Sequence, residues 1–136
     1  MRTLALDVGD RRIGIAITDR LGMTVQSRPT RSRRGLEADV GYVRGLVEVE
    51  DVGRLVVGLP LHMDGQESPQ SIKIKAFAAC LRHEVTIPVI LWDERLTSFA
   101  AEQELEEQGM GWQRRRKHVD EVAAILILED FLKENP

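Results

Sequence analysis

Two short apolar runs open the chain, Leu4-Ala5-Leu6-Asp7-Val8 and Ile13-Gly14-Ile15-Ala16-Ile17, with Gly9-Asp10-Arg11-Arg12 between them. Strand-length runs on either side of a Gly- and Asp-containing break predict a β-hairpin. Residues 23–28 read as a third strand, with Gly22 in the turn before it and Pro29 ending it. Three strands with tight links imply an antiparallel meander. Over residues 36–50, Leu36, Val40, Val43, Leu46 and Val47 recur at helical spacing. Gly41 and Gly45 each weaken that helix by about 1 kcal/mol relative to Ala.

Residues 54–59 form a continuous apolar run, the pattern of a strand buried on both faces in a parallel sheet. A polar loop over 60–67 leads to Ser68 as N-cap and Pro69 at the first helical position. The helix that follows extends to about residue 82, with Ile72, Ala76, Phe77, Ala79 and Cys80 expected inside. A second buried strand, 88–92, ends in Asp93-Glu94-Arg95. Thr97 or Ser98 then caps a helix through Gln108, closed by Gly109. Residues 110–118 read as a basic, Trp-containing loop, and 119–132 as a last helix, apolar on most of its circumference and so buried against the sheet. A right-handed crossover from the meander places the fourth strand beside the first. The expected fold is a single α/β domain over residues 1–136: a mixed five-stranded sheet, three strands antiparallel and then two parallel, with helices on both faces.

Composition narrows the class. Of 136 residues, 43% are hydrophobic and 30% charged, a soluble globular balance. No apolar stretch is long enough to span a bilayer, and Arg2 leads into a strand-like run in place of a signal peptide. The single cysteine, Cys80, excludes an internal disulfide. These features make the cytoplasm the expected compartment. A net charge of −3 means that the chain as a whole does not attract nucleic acid. The basic residues are clustered, however: Arg11 and Arg12 in the opening turn, Arg28 at the end of the third strand with Arg31, Arg33 and Arg34 after it, and Arg114, Arg115, Arg116 and Lys117. Such runs are either solvated loops or, where they flank one face, a footprint for phosphates.

Ligands in open α/β sheets bind beyond the carboxyl ends of the parallel strands, where the strand order reverses. Asp7 closes the first strand, Asp93 and Glu94 close the last, and Asp120 opens the final helix, so these acids can reach that place. Because neighbours on a strand face opposite ways, only one of Asp93 and Glu94 should point into the site. Hard oxygen ligands without a Cys or His pair suit Mg²⁺ or Mn²⁺ and do not suit zinc. Gly9 removes a side chain where a backbone or a phosphate could approach closely. The histidines share no ligand spacing; His83 reads as a helix-end residue, and His62 and His118 as loop residues able to assist proton transfer. Of the tryptophans, Trp92 belongs to the packing of a buried strand, whereas Trp112 is placed to stack on bases.

Leu6-Asp7-Val8-Gly9 with Arg12-Ile13-Gly14, Val57-Gly58-Leu59-Pro60-Leu61 with Met63-Asp64-Gly65, Trp92-Asp93-Glu94-Arg95-Leu96-Thr97, and Val119-Asp120 with Ala123-Ala124 and Ile127-Leu128 together resemble the YqgF/RuvX family. The resemblance runs over essentially the whole chain, in order. It implies an RNase H-like fold, kinship with RuvC-type Holliday junction resolvases, and a nuclease that matures the 5′ end of pre-16S ribosomal RNA. It also implies that Asp7, Glu94 and Asp120 are the metal-binding carboxylates. RuvC-type enzymes carry an acid at the end of the fourth strand, where this chain has Gly58, so Glu94 of the fifth strand has to complete the set.

The expected function is a phosphodiester endonuclease using Mg²⁺ or Mn²⁺, with Asp7, Glu94 and Asp120 as catalytic carboxylates. Arg11, Arg12, Arg31, Arg33, Arg34, Arg95, Arg114, Arg115, Arg116 and Lys117 would hold the nucleic-acid backbone. The preferred substrate is the ribosomal RNA precursor and the alternative is a four-way DNA junction in recombination and repair, the chain acting as a monomer or a homodimer. A non-catalytic RNA-binding module would keep the same fold. An actin-like ATPase, which shares the opening hairpin, needs two such domains to enclose a nucleotide.

Overall fold

The structure, a computed structural model, describes residues 1–61, 64–93 and 112–136, with side chains in the last stretch from residue 121 onward. Within them the chain runs β1 (Arg2–Val8), β2 (Arg12–Thr18), β3 (Val25–Ser32), α1 (Leu36–Val49), β4 (Val52–Leu59), α2 (Pro69–Glu84), β5 (Val89–Asp93) and α3 (Trp112–Glu134). The strands form one mixed sheet in the order β3-β2-β1-β4-β5. β1 pairs antiparallel with β2 and β2 with β3, whereas β1 pairs parallel with β4 and β4 with β5. The crossover sets β4 beside β1, as the order of elements required.

Alternation along each strand sorts the core into two layers. Leu4, Leu6 and Val8 of β1 join Ile13, Ile15 and Ile17 of β2 and Leu55 and Val57 of β4 on one face, packed against Val40 and Val43 of α1 and Ile74, Phe77, Ala78 and Leu81 of α2. On the other face Ala5, Ala16 and Val56 meet Ala124, Ile127, Leu128 and Phe131 of α3. Ala5 and Ala16 are cross-strand partners. Two adjacent small side chains let one large helix residue, Phe131, settle against a sheet whose other face is filled by Leu and Ile.

Three sequence expectations change. β3 continues through Pro29 to Ser32 and begins at Val25. Ile13 pairs with Arg31 but Ile15 with Arg28, so Gly14 faces both Pro29 and Thr30 across a bulge. Proline survives there because β3 is the sheet's edge and the bulge interrupts the ladder at that point. In α2 the buried positions are Ser71, Ile74, Phe77, Ala78 and Leu81, and Ile72 is exposed. The i, i+3, i+7, i+10 row beginning at Ser71 wins because the hydroxyl of Ser71 is satisfied within the cap, donating to the Ser68 carbonyl. Finally, α3 begins at Trp112, so the basic stretch expected as a loop is helical in its backbone. Gln, Arg and Lys are good helix formers, and neither Gly nor Pro separates Trp112 from Glu134.

Other expectations hold. Ser68 and Pro69 start α2 with a reciprocal cap, the Ser68 side chain accepting from the Ser71 amide and the Ser71 side chain from the Ser68 amide. Trp92 packs edge-on against Phe131, its ring centroid 5.3 Å away, and donates from Nε1 to Asp130. Among the described residues no helix is long and apolar enough to cross a membrane. The helix expected over 98–108 lies outside the described residues.

Candidate functional site

The β1–β2 turn is built by its sequence. The Gly9 amide donates to the Arg12 carbonyl at 2.8 Å, and a Cβ at Gly9 would stand 3.0 Å from that same oxygen. A larger residue would close the turn only if the Arg12 carbonyl gave way by a few tenths of an ångström. Asp7, half-buried, lies two residues before it and pairs across the sheet with Gly14, which offers no side chain. Asp7 shares its strand face with Ala5 and so lies on the α3 side. This is the carboxyl end of β1, where the chain passes to β2 on one side and, later, to β4 on the other. Such switch points are where open α/β sheets bind ligands.

The sheet settles which face Asp93 takes. Val89 and Leu91 of β5 pack into the α1/α2 layer, whereas Ile90 and Trp92 pack into the α3 layer. Asp93 therefore falls on the α1/α2 face, opposite Asp7, and is exposed. Glu94 lies outside the described residues. Asp120 belongs to the α3 backbone, four positions before Ala124, and its side chain lies outside the described residues. Arg95, His62, and the side chains of Arg114, Arg115, Arg116, Lys117, Trp112 and His118 do so as well. His83 is in the last turn of α2, as expected.

The arginines of the β1–β2 turn and of the end of β3 do not act as one group. Arg11 and Arg34 are exposed, and Arg12 is half-buried on the Asp7 face. Arg31 and Arg33 turn instead towards α1, where each donates from Nε to a different oxygen of Asp39 at 3.0 Å. The Arg34 amide adds a third hydrogen bond to Asp39, whose side chain is fully buried. This is a correction to the expected footprint: these two guanidinium groups face an internal carboxylate, because the bulge at Pro29–Thr30 shifts Arg31 onto the α1 side. Burial alone would raise the Asp39 pKa, but the hydrogen bonds from Arg33, Arg34 and Arg31 hold it below the ordinary carboxylate range.

From Arg33 the network reaches the site turn. Its Nη1 donates to the Gly9 carbonyl at 3.1 Å, and its amide to the Arg11 carbonyl at 2.8 Å. On the other flank Gln70 of α2 donates to the Val8 carbonyl at 3.1 Å, and Lys73 pairs with Asp10 at 3.5 Å. Asp39 was missed in the sequence because an acid in a first helical turn is ordinarily explained by the helix dipole. The available signal was its position next to Val40 on the apolar stripe of α1, just after a cluster of arginines.

Comparisons with known proteins agree with this architecture. The RuvX family, described as Holliday junction resolvase, matches residues 1–134. A relative in Moorella thermoacetica is 46% identical over 97% of this chain and 94% of its own length, and one in Syntrophus aciditrophicus is 45% identical over 97% and 88%. Both carry the name "Putative pre-16S rRNA nuclease". Among solved structures, the RuvC of T. thermophilus in complex with a Holliday junction substrate superposes with a TM-score of 0.62 at 11% identity, covering 99% of this chain and 96% of that one. The Fowlpox virus resolvase, in complex with junction DNA, reaches 0.55 at 15% identity, covering 99% of each. The structural likeness identifies the fold as that of the RuvC-like, RNase H-like enzymes. With a profile spanning nearly the whole sequence and relatives above 40% identity, the chain belongs to the RuvX family.

Proposed function

We propose that this protein is a divalent-metal-dependent phosphodiester endonuclease that acts in the cytoplasm on the 5′ end of pre-16S ribosomal RNA. The observation that carries the reading is Asp7, a half-buried carboxylate at the carboxyl end of the central strand β1, beside a tight turn in which a Cβ at Gly9 would crowd the Arg12 carbonyl. A half-buried carboxylate at that place remains open enough to offer an oxygen to a cation. The family supplies the reaction class: relatives of more than 40% identity carry the nuclease name.

Asp7, Glu94 and Asp120 are the residues that would hold Mg²⁺ or Mn²⁺. Their donor set is all carboxylate oxygen, which fits these hard cations. When bound, the ions supply an activated water and neutralise the leaving oxygen of a phosphodiester. The rest is done by the chain's own residues. Gly9 keeps the turn beside Asp7 tight, its missing side chain leaving room for the Arg12 carbonyl. Arg11, Arg12 and Arg34 border the turn, and together with Arg95, Arg114, Arg115, Arg116 and Lys117 they neutralise backbone phosphates. Since the net charge is −3, this attraction is local and binding should weaken steeply with salt.

The test is a side-by-side cleavage assay in Mg²⁺ or Mn²⁺ with a precursor ribosomal RNA leader and a four-way DNA junction, for the unmutated protein and Asp7→Asn. RNA cleavage lost in Asp7→Asn supports the proposal. Paired symmetric nicks in the junction replace it with a resolvase, which requires two sites in a homodimer; a processing nuclease can act as a monomer. Cleavage of neither substrate leaves a binding module.

A further inference from the structure

The cluster of Arg31, Asp39 and Arg33 has no part in the reading above. Asp39 is fully buried, and the side chains of Arg31 and Arg33 are 15% and 21% exposed. Each guanidinium also lies over a ring, Arg31 over Tyr42 at 4.3 Å and Arg33 over Phe77 at 5.5 Å. Burying three ionised groups is a poor route to stability, since desolvation offsets most of the Coulomb gain and apolar side chains of equal volume commonly do as well. What such a cluster does provide is fixed geometry, because an arginine fork holds two acceptors in one rigid plane.

Arg33 uses that fork across two elements. Its Nε is anchored on Asp39 of α1, and its Nη1 grips the carbonyl of Gly9. Through its own amide it also holds the Arg11 carbonyl. One residue thus secures the turn on both sides of Asp10, two and four positions after Asp7. We propose that Arg33, aimed by Asp39, is a positioning residue that fixes the β1–β2 turn and through it the Asp7 carboxylate. The inference rests on the reading of Asp7 as part of the reacting centre. Arg31 balances the second Asp39 oxygen, so the fork of Arg33 is not drawn away from the turn.

Arg33→Lys tests this, since lysine keeps a cation beside Asp39 but cannot reach Asp39 and Gly9 at once. The expected result is amide hydrogen exchange in residues 7–12 at least about tenfold faster, with kcat for RNA cleavage at least about tenfold lower and KM changed by less than about threefold. Asp39→Asn should give the same pattern, because Arg33 then loses its anchor. Arg54→Gln is the destabilised control: it breaks contacts to Thr3 and the Asn135 carbonyl, at the other end of the sheet, and should leave turn exchange and kcat unchanged. Exchange in the turn equal to the unmutated protein overturns the proposal, as does a loosened turn with kcat unchanged. If the single variants do not fold, the triple variant Arg31→Met, Asp39→Leu, Arg33→Met removes all three charges together and is read in the same way. Exchange needs no activity, so an unmutated protein that cleaves nothing refutes the nuclease reading while the clasp is still judged by exchange.

Discussion

Asp39→Asn is the most informative change for stability. The carboxylate accepts from Arg31 Nε at 3.0 Å, from Arg33 Nε at 3.0 Å and from the Arg34 amide at 3.1 Å, and its side chain is inaccessible to water. Arg31 and Arg34 share one oxygen and Arg33 uses the other. An asparagine can therefore keep Arg31 and Arg34 on its carbonyl oxygen but must turn its own NH₂ towards Arg33 Nε, donor against donor. Removing one partner of a buried ion cluster costs about 3–5 kcal/mol, and the retained pair puts this case near 3 kcal/mol. With a urea m-value of about 2 kcal/mol/M, the unfolding midpoint should fall by about 1.5 M. The sign of the pH dependence follows from the depressed pKa of Asp39. Its contribution is fully present above the unfolded carboxylate value of about 3.9 and is lost as pH falls through the lower folded value. Urea titrations from pH 7 down to pH 3 should thus show a gap between the two proteins that is widest at neutral pH and narrows below about pH 4. A gap under about 0.5 kcal/mol at pH 7, or one that stays constant down to pH 3, refutes the assignment of Asp39 as a buried, charged hub.

Three further changes probe the frame around the site. Gly41→Ala and Gly45→Ala in α1, where a new Cβ meets nothing within 4 Å, should each stabilise by about 0.5–1 kcal/mol; a lowered melting temperature for either would contradict the packing described. Ser68→Ala removes the side chain that accepts from the Ser71 amide and should cost about 1 kcal/mol in chemical denaturation, whereas an unchanged midpoint would mean that the cap does not hold α2. Phe131→Ala empties the layer under α3 where Trp92 and Arg54 meet the ring, and a loss of about 3–5 kcal/mol is expected; a loss below about 1 kcal/mol would show that α3 does not seal that face.

Local chemistry in the sequence was enough for much of this protein. Short continuous apolar runs marked β1, β2, β4 and β5, because a strand in a sheet covered on both sides must hide both faces. Ser68-Pro69 marked the start of α2, because an N-cap hydroxyl and a proline at the first position satisfy the helix end with residues close in sequence. Asp7 and Gly9 were legible as a carboxylate before a tight turn, and the order of elements placed β4 beside β1. Tertiary structure decided the rest, through contacts that no local window contains. Pro29 reads as a strand end, yet a bulge on an edge strand accommodates it and thereby swings Arg31 towards α1. Arg31 and Arg33 read as part of a phosphate footprint because their partner, Asp39, lies on the following helix and looks like an ordinary first-turn acid. Alternation along the strand allowed either Asp93 or Glu94 into the site, and only the packing of β5 put Asp93 on the face away from Asp7. The physical reason is common to all three: hydrophobic period and capping act within a few residues, whereas the side of a sheet on which a charge ends up, and what neutralises it there, depend on strand register and on elements distant in sequence.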